Sequence, residues 1–194
     1  MKGKRRVSVF DFDGTLVADD SFIGFSRYIF GSGRFVLGMI RALPWLMAWK
    51  AGLTSGSKAK EKLYSALYRG LDKAEIVERS VSFKPRYREE VLAELHRCKA
   101  AGDKVYIVSA SLDLWLEQIA SRLGVELLCT TSSVDSRGRL DGRFASPNCH
   151  GAEKVRRLLE KESDRADYIL TVYGDEPHGG DAALFAASDR HHTM

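Results

Sequence analysis

Two aspartates, Asp11 and Asp13, end the apolar run Val7-Ser8-Val9-Phe10 and are followed by Gly14 and Thr15. Val7, Val9, Phe10 and Phe12 are β-branched or aromatic, and they predict a strand of a buried parallel sheet. Side chains two apart on a strand point the same way, so this spacing gathers both carboxylates in one small volume. Such a pair repels unless a cation or a shared proton relieves it. A hard divalent ion with oxygen ligands suits it, and Mg2+ in particular takes few carboxylates and leaves room for a substrate phosphate. Gly14 permits a tight turn, and the Thr15 hydroxyl can tie down the loop or meet an anion. Asp-Gly alone commonly marks nothing more than a turn, so the rest of a site has to come from elsewhere in the chain.

Three later segments offer candidates. The strand Val105-Tyr106-Ile107-Val108 delivers Ser109-Ala110-Ser111 to its C-terminal end, ahead of a helix predicted over Asp113 to Leu123. Helix amides face strand ends at such a turn, and a serine there can donate to phosphate. Lys154 lies in the first turn of a helix predicted over Gly151 to Glu162, where a cation is unfavourable unless it meets an anion. Tyr168 to Tyr173 is the last clear strand, and it runs into Gly174-Asp175-Glu176-Pro177-His178-Gly179-Gly180-Asp181. Acids again stand at a strand's C-terminal end.

The elements that must position these groups follow from periodicity. Residues 18–84 read as all-helical: Phe22 to Phe30, capped by Asp19-Asp20-Ser21 and broken at Gly31-Ser32-Gly33, then an apolar run from Phe35 to Trp49, then Lys58 to Tyr68, then Asp72 to Val81. In the third of these, Leu63 and Leu67 lie on the buried side. Arg86 to Ala101 is amphipathic, Val125 to Thr131 is a strand, and Ser136 to Arg143 is a β-excursion with two glycine turns. The order predicts an α/β fold whose parallel sheet is flanked by helices, formed by residues 1–17 and 85–194, with 18–84 inserted as a helical unit. The basic Met1 to Arg6 is predicted to be disordered.

Length and charge narrow the partners. A chain of 194 residues with 44% apolar content suits one domain with a sub-domain. From Ser21 to Gly70 eight basic residues stand against Glu61 alone, within a net charge of +4, so an anionic partner is expected there. No nucleic-acid motif accompanies the charge, which leaves an anionic lipid or substrate. The run Phe35 to Trp49 carries Arg41 and Pro44 and falls short of the roughly 20 residues a membrane span needs. Trp45 and Trp49 beside Lys50 resemble interfacial anchors, although Arg41 and Lys50 are out of phase and predict no clean amphipathic face. A helical pair packed inside the insertion is the alternative. Cys98, Cys129 and Cys149 are odd in number and lack zinc-site spacing, so free thiols in a reducing cytoplasm are expected. The N-terminus does not have the long apolar stretch of a secretory signal.

Asp11-Phe12-Asp13-Gly14-Thr15-Leu16 resembles the first motif of the haloacid dehalogenase superfamily, and the likeness extends over nearly the whole chain. Ser109 matches the second motif, Lys154 in Gly-Ala-Glu-Lys-Val the third, and Gly174-Asp175 the fourth. The insertion resembles the cap of the subclass that includes phosphoserine phosphatases, and its apolar, arginine-punctuated run is most similar to phosphatidylglycerophosphatase-C-like hydrolases. The resemblance implies a Rossmann-like core and phosphomonoester hydrolysis rather than dehalogenation. By the same likeness Asp11 is the nucleophile and Asp13 the general acid and base. Mg2+ is held by the Asp11 carboxylate, the Asp13 main-chain carbonyl and Asp175, while Ser109, the Ala110 amide and Lys154 neutralise phosphoryl oxygens. Substrates implied are a phospholipid such as phosphatidylglycerophosphate, with cap contact at an inner membrane surface, or a soluble phosphomonoester. A non-catalytic membrane-peripheral module is the remaining alternative. The family places a second acid three or four residues past the first; here five residues separate Asp175 from Asp181, so either Asp181 in a longer loop or Glu176 supplies it. The tail beyond Ser188 is short for the family, which implies that a terminal edge strand is missing.

Overall fold

The computed structural model describes residues 4–194, so Met1 to Gly3 of the basic N-terminal stretch lie outside the described residues. Strand β1 (Arg5–Phe10) begins inside that stretch: Arg5 and Arg6 pair with the strand that ends in Gly174, so they are ordered by the ladder rather than free. β1 is the centre of a parallel five-stranded sheet that also contains β2 (Lys104–Leu112), β3 (Glu126–Thr130), β6 (Tyr168–Gly174) and β7 (Arg190–Thr193). The spatial order is β3-β2-β1-β6-β7. The short strands β4 (Ser132–Val134) and β5 (Leu140–Phe144) form a separate antiparallel pair.

Helices cover both faces of the sheet. Val7 and Val9 of β1 pack with Leu158 of α6 (Ala152–Lys161) and with Leu184 and Phe185 of α7 (Ala182–Ala187). Phe10 points the other way, toward Leu95 of α4 (Glu89–Ala100) and Ile119 of α5 (Asp113–Leu123). This alternation is what a strand buried on both faces requires. Each large apolar side chain so buried contributes about 1.5–3 kcal/mol.

Between β1 and α4 the chain forms α1 (Ser21–Lys50), α2 (Gly56–Tyr68) and α3 (Lys73–Ser80) and no strand. The expected break at Gly31 is present: at φ 68° and ψ 171° Gly31 is not helical, so α1 is two helices that meet at this glycine in a kink. The insertion shares the apolar core of the α4–α5 face, where Phe25 lies 4.9 Å from the buried Trp115 ring of α5. Polar ties lock it further. The buried Asp113 carboxylate accepts from Lys73 of α3 at 2.6 Å and from the Ser132 amide at 2.9 Å. Gly70 and Leu71 exchange backbone hydrogen bonds with Leu140 at 2.7 and 2.8 Å.

Two expectations are corrected. β2 does not stop at Val108; it continues to Leu112, with its register against β3 slipping between Ser109 and Leu112. The terminal edge strand is present: β7 pairs in parallel with β6, Thr171 opposite Arg190 and Tyr173 opposite His192. Its sequence, Arg-His-His-Thr, shows no apolar alternation, because its rings are used sideways. His192 stacks on Tyr173 at 4.8 Å and His191 on Phe185 at 4.9 Å. The three cysteines are free and buried.

Candidate active site

The C-terminal ends of β1, β2 and β6 meet at one point. Asp11 follows β1 directly, and its amide donates to the Tyr173 carbonyl at 2.9 Å, which extends the β1–β6 ladder by one residue and fixes the carboxylate beside the β6 end. Gly14 has φ 78°, and a Cβ at this position would collide with the Asp175 carboxylate, so the turn after the aspartates admits no side chain. The buried Thr15 hydroxyl donates to Asp175 at 3.3 Å.

Carboxylate oxygens of Asp11, Asp175 and Asp181 lie within 4.8 Å of one another. Asp181 is therefore the additional acid that the loop brings in. The Glu176 carboxylate instead accepts from the Gly180 amide at 2.7 Å and holds the loop shut on itself. Lys154, 3% exposed, donates to Asp11 at 2.6 Å and to Asp181 at 2.7 Å. Its position in the first turn of α6 is explained by these anions. Burial lowers the Lys154 pKa, but the two carboxylates outweigh it and hold the ammonium above its ordinary range. Burial pushes Asp11 up to about 7; Lys154 opposes the shift, while Asp181 and Asp13 add to it. Asp175 is also raised, first by burial and then by Asp181 and Glu176.

A hard cation would relieve this situation. Three carboxylates stand against one lysine, which pairs with only two of them, so the cluster carries excess negative charge in a largely buried place. Its donors are all oxygen, the set that Mg2+ or Ca2+ prefers.

The Asp13 carboxylate is not part of the triplet. It accepts from the Ser21 amide at 2.6 Å and from the Ser111 hydroxyl at 2.5 Å. Ser21 begins α1, so the first amide of that helix grips this carboxylate. Ser109 is buried beside it and accepts from the Ser111 amide at 3.0 Å. The register slip in β2 takes Ala110 and Ser111 out of the ladder. The Ala110 carbonyl accepts from Lys60 of α2 at 2.9 Å and from Thr130 at 2.8 Å.

Lys60, Ser21 and Ser111 are the site residues that sequence reasoning missed. Burial lowers the Lys60 pKa, and Asp13, Asp20 and Asp11 pull it back up, which places its ammonium among the site's acids. A signal was present: Lys60 precedes Leu63 and Leu67 by three and seven, so it shares the inward stripe of α2. A lysine on an apolar stripe needs an anion or a carbonyl to meet.

A family model described as haloacid dehalogenase-like hydrolase matches residues 8–184. Protein CicA of Caulobacter vibrioides is 34% identical over 187 residues, covering 93% of this chain and 82% of that one. A solved protein of unknown function from Bordetella pertussis Tohama I superposes with a TM-score of 0.82 at 22% identity, over 97% of this chain and 89% of the other. A structure described as a phospho-aspartyl intermediate analogue of phosphoserine phosphatase gives 0.62 at 19% identity, over 97% and 85%. The model match spans most of the chain and includes Asp11, Ser109, Lys154 and Asp175: the chain belongs to the haloacid dehalogenase-like hydrolases.

Proposed function

We propose that this hydrolase removes phosphate from phosphomonoesters with Mg2+ and an aspartyl-phosphate intermediate, and that its substrate is a phospholipid such as phosphatidylglycerophosphate. The observation that carries the reading is the buried Asp11 carboxylate, held by Lys154 at 2.6 Å beside Asp175 and Asp181 at the strand ends. The phospho-aspartyl analogue seen in a phosphoserine phosphatase of the same fold supports the intermediate.

An Asp11 oxygen attacks phosphorus as the bond to the substrate oxygen breaks, and Asp13 donates a proton to that leaving oxygen. Water then attacks phosphorus, the bond from phosphorus to the Asp11 oxygen breaks to free the carboxylate, and Asp13 takes the attacking water's proton. The Ser21 amide and Ser111 hydroxyl hold the Asp13 carboxylate ready for both transfers. Ser109, the Ala110 amide and Lys154 receive the phosphoryl oxygens, and Lys154 also keeps Asp11 from repelling them. The Asp11, Asp175 and Asp181 carboxylates, with the Asp13 main-chain carbonyl, would hold Mg2+, which would supply neutralisation of charge on the phosphoryl group. Residues 18–84 act as the cap of a core formed by 1–17 and 85–194. The cap is basic and apolar, which favours a phospholipid in the cytoplasmic leaflet and contact with its surface.

Lys60 favours a second reading. A polar group reaching from the cap to the strand ends also suits a small soluble phosphomonoester, such as a phosphorylated amino acid or sugar. Mg2+-dependent phosphate release, measured on a panel of lipid and soluble phosphomonoesters with Asp11→Asn and Asp13→Asn as controls, separates the two. The lipid reading expects phosphatidylglycerophosphate in detergent as the best substrate, with turnover reduced by at least about 10^4-fold in Asp11→Asn. A soluble ester as the best substrate selects the second reading, and turnover that survives Asp11→Asn overturns the mechanism.

A further inference from the structure

The second half of α1 is apolar on two opposite sides. Phe35, Gly38 and Ala42 are buried against the rest of the insertion. On the other side Val36, Ile40, Leu43 and Met47 recur at i, i+4, i+7 and i+11 and are 50, 60, 49 and 63% exposed. At about 100° per residue these four fall within roughly 60° of one another, so the clean stripe that the charge phases failed to predict is there. Leu53, just past the helix, is 81% exposed. Of the thirteen exposed large hydrophobics among the described residues, eight lie between Val36 and Leu53. Scattered exposed apolar residues need no explanation, but a continuous stripe does.

Charge decides what covers it. The chain has no acidic residue between Asp20 and Glu61. Arg34, Arg41 and Lys50 are exposed along the same helix, and none forms an ion pair among the described residues. Lys58 and Lys62 of α2 lie over the Trp45 ring at 5.9 and 5.0 Å, which adds two more cations beside the helix. A second copy would bring an equally acid-free segment against this one and meet like charge. A layer of anionic headgroups over acyl chains matches both halves of the pattern: the stripe enters the apolar layer while the arginine and lysine stems reach back to phosphates. No helix of the described residues is long and apolar enough to cross a membrane, so α1 would lie in the surface plane.

We propose that the stripe Val36-Ile40-Leu43-Met47, with Lys50 beside it and Arg34 and Arg41 farther round the helix, is an interfacial docking face for anionic lipid bilayers. It deepens the phospholipid reading but does not need turnover, because binding and hydrolysis are measured apart. α1 packs on α2, whose Lys60 reaches Ala110, so the docking face and the approach to the site belong to one helical pair.

The test is co-sedimentation of the full chain with vesicles of phosphatidylcholine plus phosphatidylglycerol, and with vesicles of phosphatidylcholine alone. The expected result is binding to the anionic vesicles only, weakened by salt. The double substitution Ile40→Ser and Met47→Ser, at exposed positions that spare the fold, should cost about tenfold or more in partitioning. Hydrolysis of a soluble phosphomonoester by this variant should match the parent. Equal binding by the parent and the double variant overturns the docking face, as does concentration-dependent dimerisation of the parent with no vesicle binding. Docking that holds while every phosphomonoester is refused leaves the surface and removes the phosphatase reading; hydrolysis without docking does the reverse.

Discussion

The strand ends and the outer face of α1 are opposite solutions to burial. At the strand ends the ionisable groups are buried or half-buried and given partners: Asp11 and Asp181 share Lys154, Asp13 is gripped by Ser21 and Ser111, and Asp175 accepts from Thr15. On α1 the apolar stripe is left open and its basic neighbours are unpaired. A protein selected for stability alone would reverse both choices, because burying charges is costly and exposing Ile40 and Met47 gains nothing. On the proposed function the contrast becomes a division of labour, with the chemistry in the core and the choice of what reaches it in the insertion.

The largest effect should come from Lys154→Met, which strikes the core. It leaves two buried carboxylates without their shared cation, so unfolding in denaturant should show a loss of about 3–5 kcal/mol, and phosphate release should fall by at least about 10^2-fold. A variant that keeps its activity would break the assignment of chemistry to this cluster. Lys60→Met tests the insertion's side. Steady-state kinetics should show kcat/KM for the preferred substrate down by about 10–100-fold, with folding stability changed by less than about 1 kcal/mol. If its loss matched that of Lys154→Met across all substrates, Lys60 would belong to the chemistry and the division would fail.

The smallest effect concerns pH. Burial lifts Asp11 to about 7 in the folded, metal-free protein. The native state therefore holds this proton more tightly than the unfolded chain does, so stability is greatest below the unfolded pKa and declines as pH rises toward 7. Asp11→Asn removes that slope. In chelator, the melting temperature of the parent should drop by a few degrees relative to Asp11→Asn between pH 5 and 8, with the gap closing at the acid end. A constant gap would mean that Lys154 already keeps Asp11 ionised throughout.

What was legible in the sequence follows the same division. Asp11, Asp13, Ser109, Lys154 and Asp175 stand near strand ends or a helix start, where local pattern makes them candidates, and the likeness to the family's four motifs singled them out. Asp181 needed the loop path, since its spacing from Asp175 fits no simple turn. Lys60 needed the phase of α2 and the knowledge that its stripe faces the strand ends. Ser21 was read only as part of a cap, because nothing local says that the amide opening α1 would hold a carboxylate eight residues earlier. The edge strand was misjudged for a related reason: its stability comes from ring stacking and backbone pairing with β6, neither of which leaves an alternating pattern in Arg-His-His-Thr.

The central place of β1 has a consequence for how the molecule comes into being. The first strand of the chain finds its partners in β2, about a hundred residues later, and in β6, which starts at Tyr168. The helices of the insertion rest on nearer neighbours and can gather while synthesis continues, whereas parallel pairing between distant segments is slow to form. A nascent chain that has reached α5 carries Asp11 and Asp13 but neither Lys154 nor Asp175. On the proposed mechanism the Asp11 carboxylate therefore gains its lysine and its companion acids only after α6 and β6 have been made.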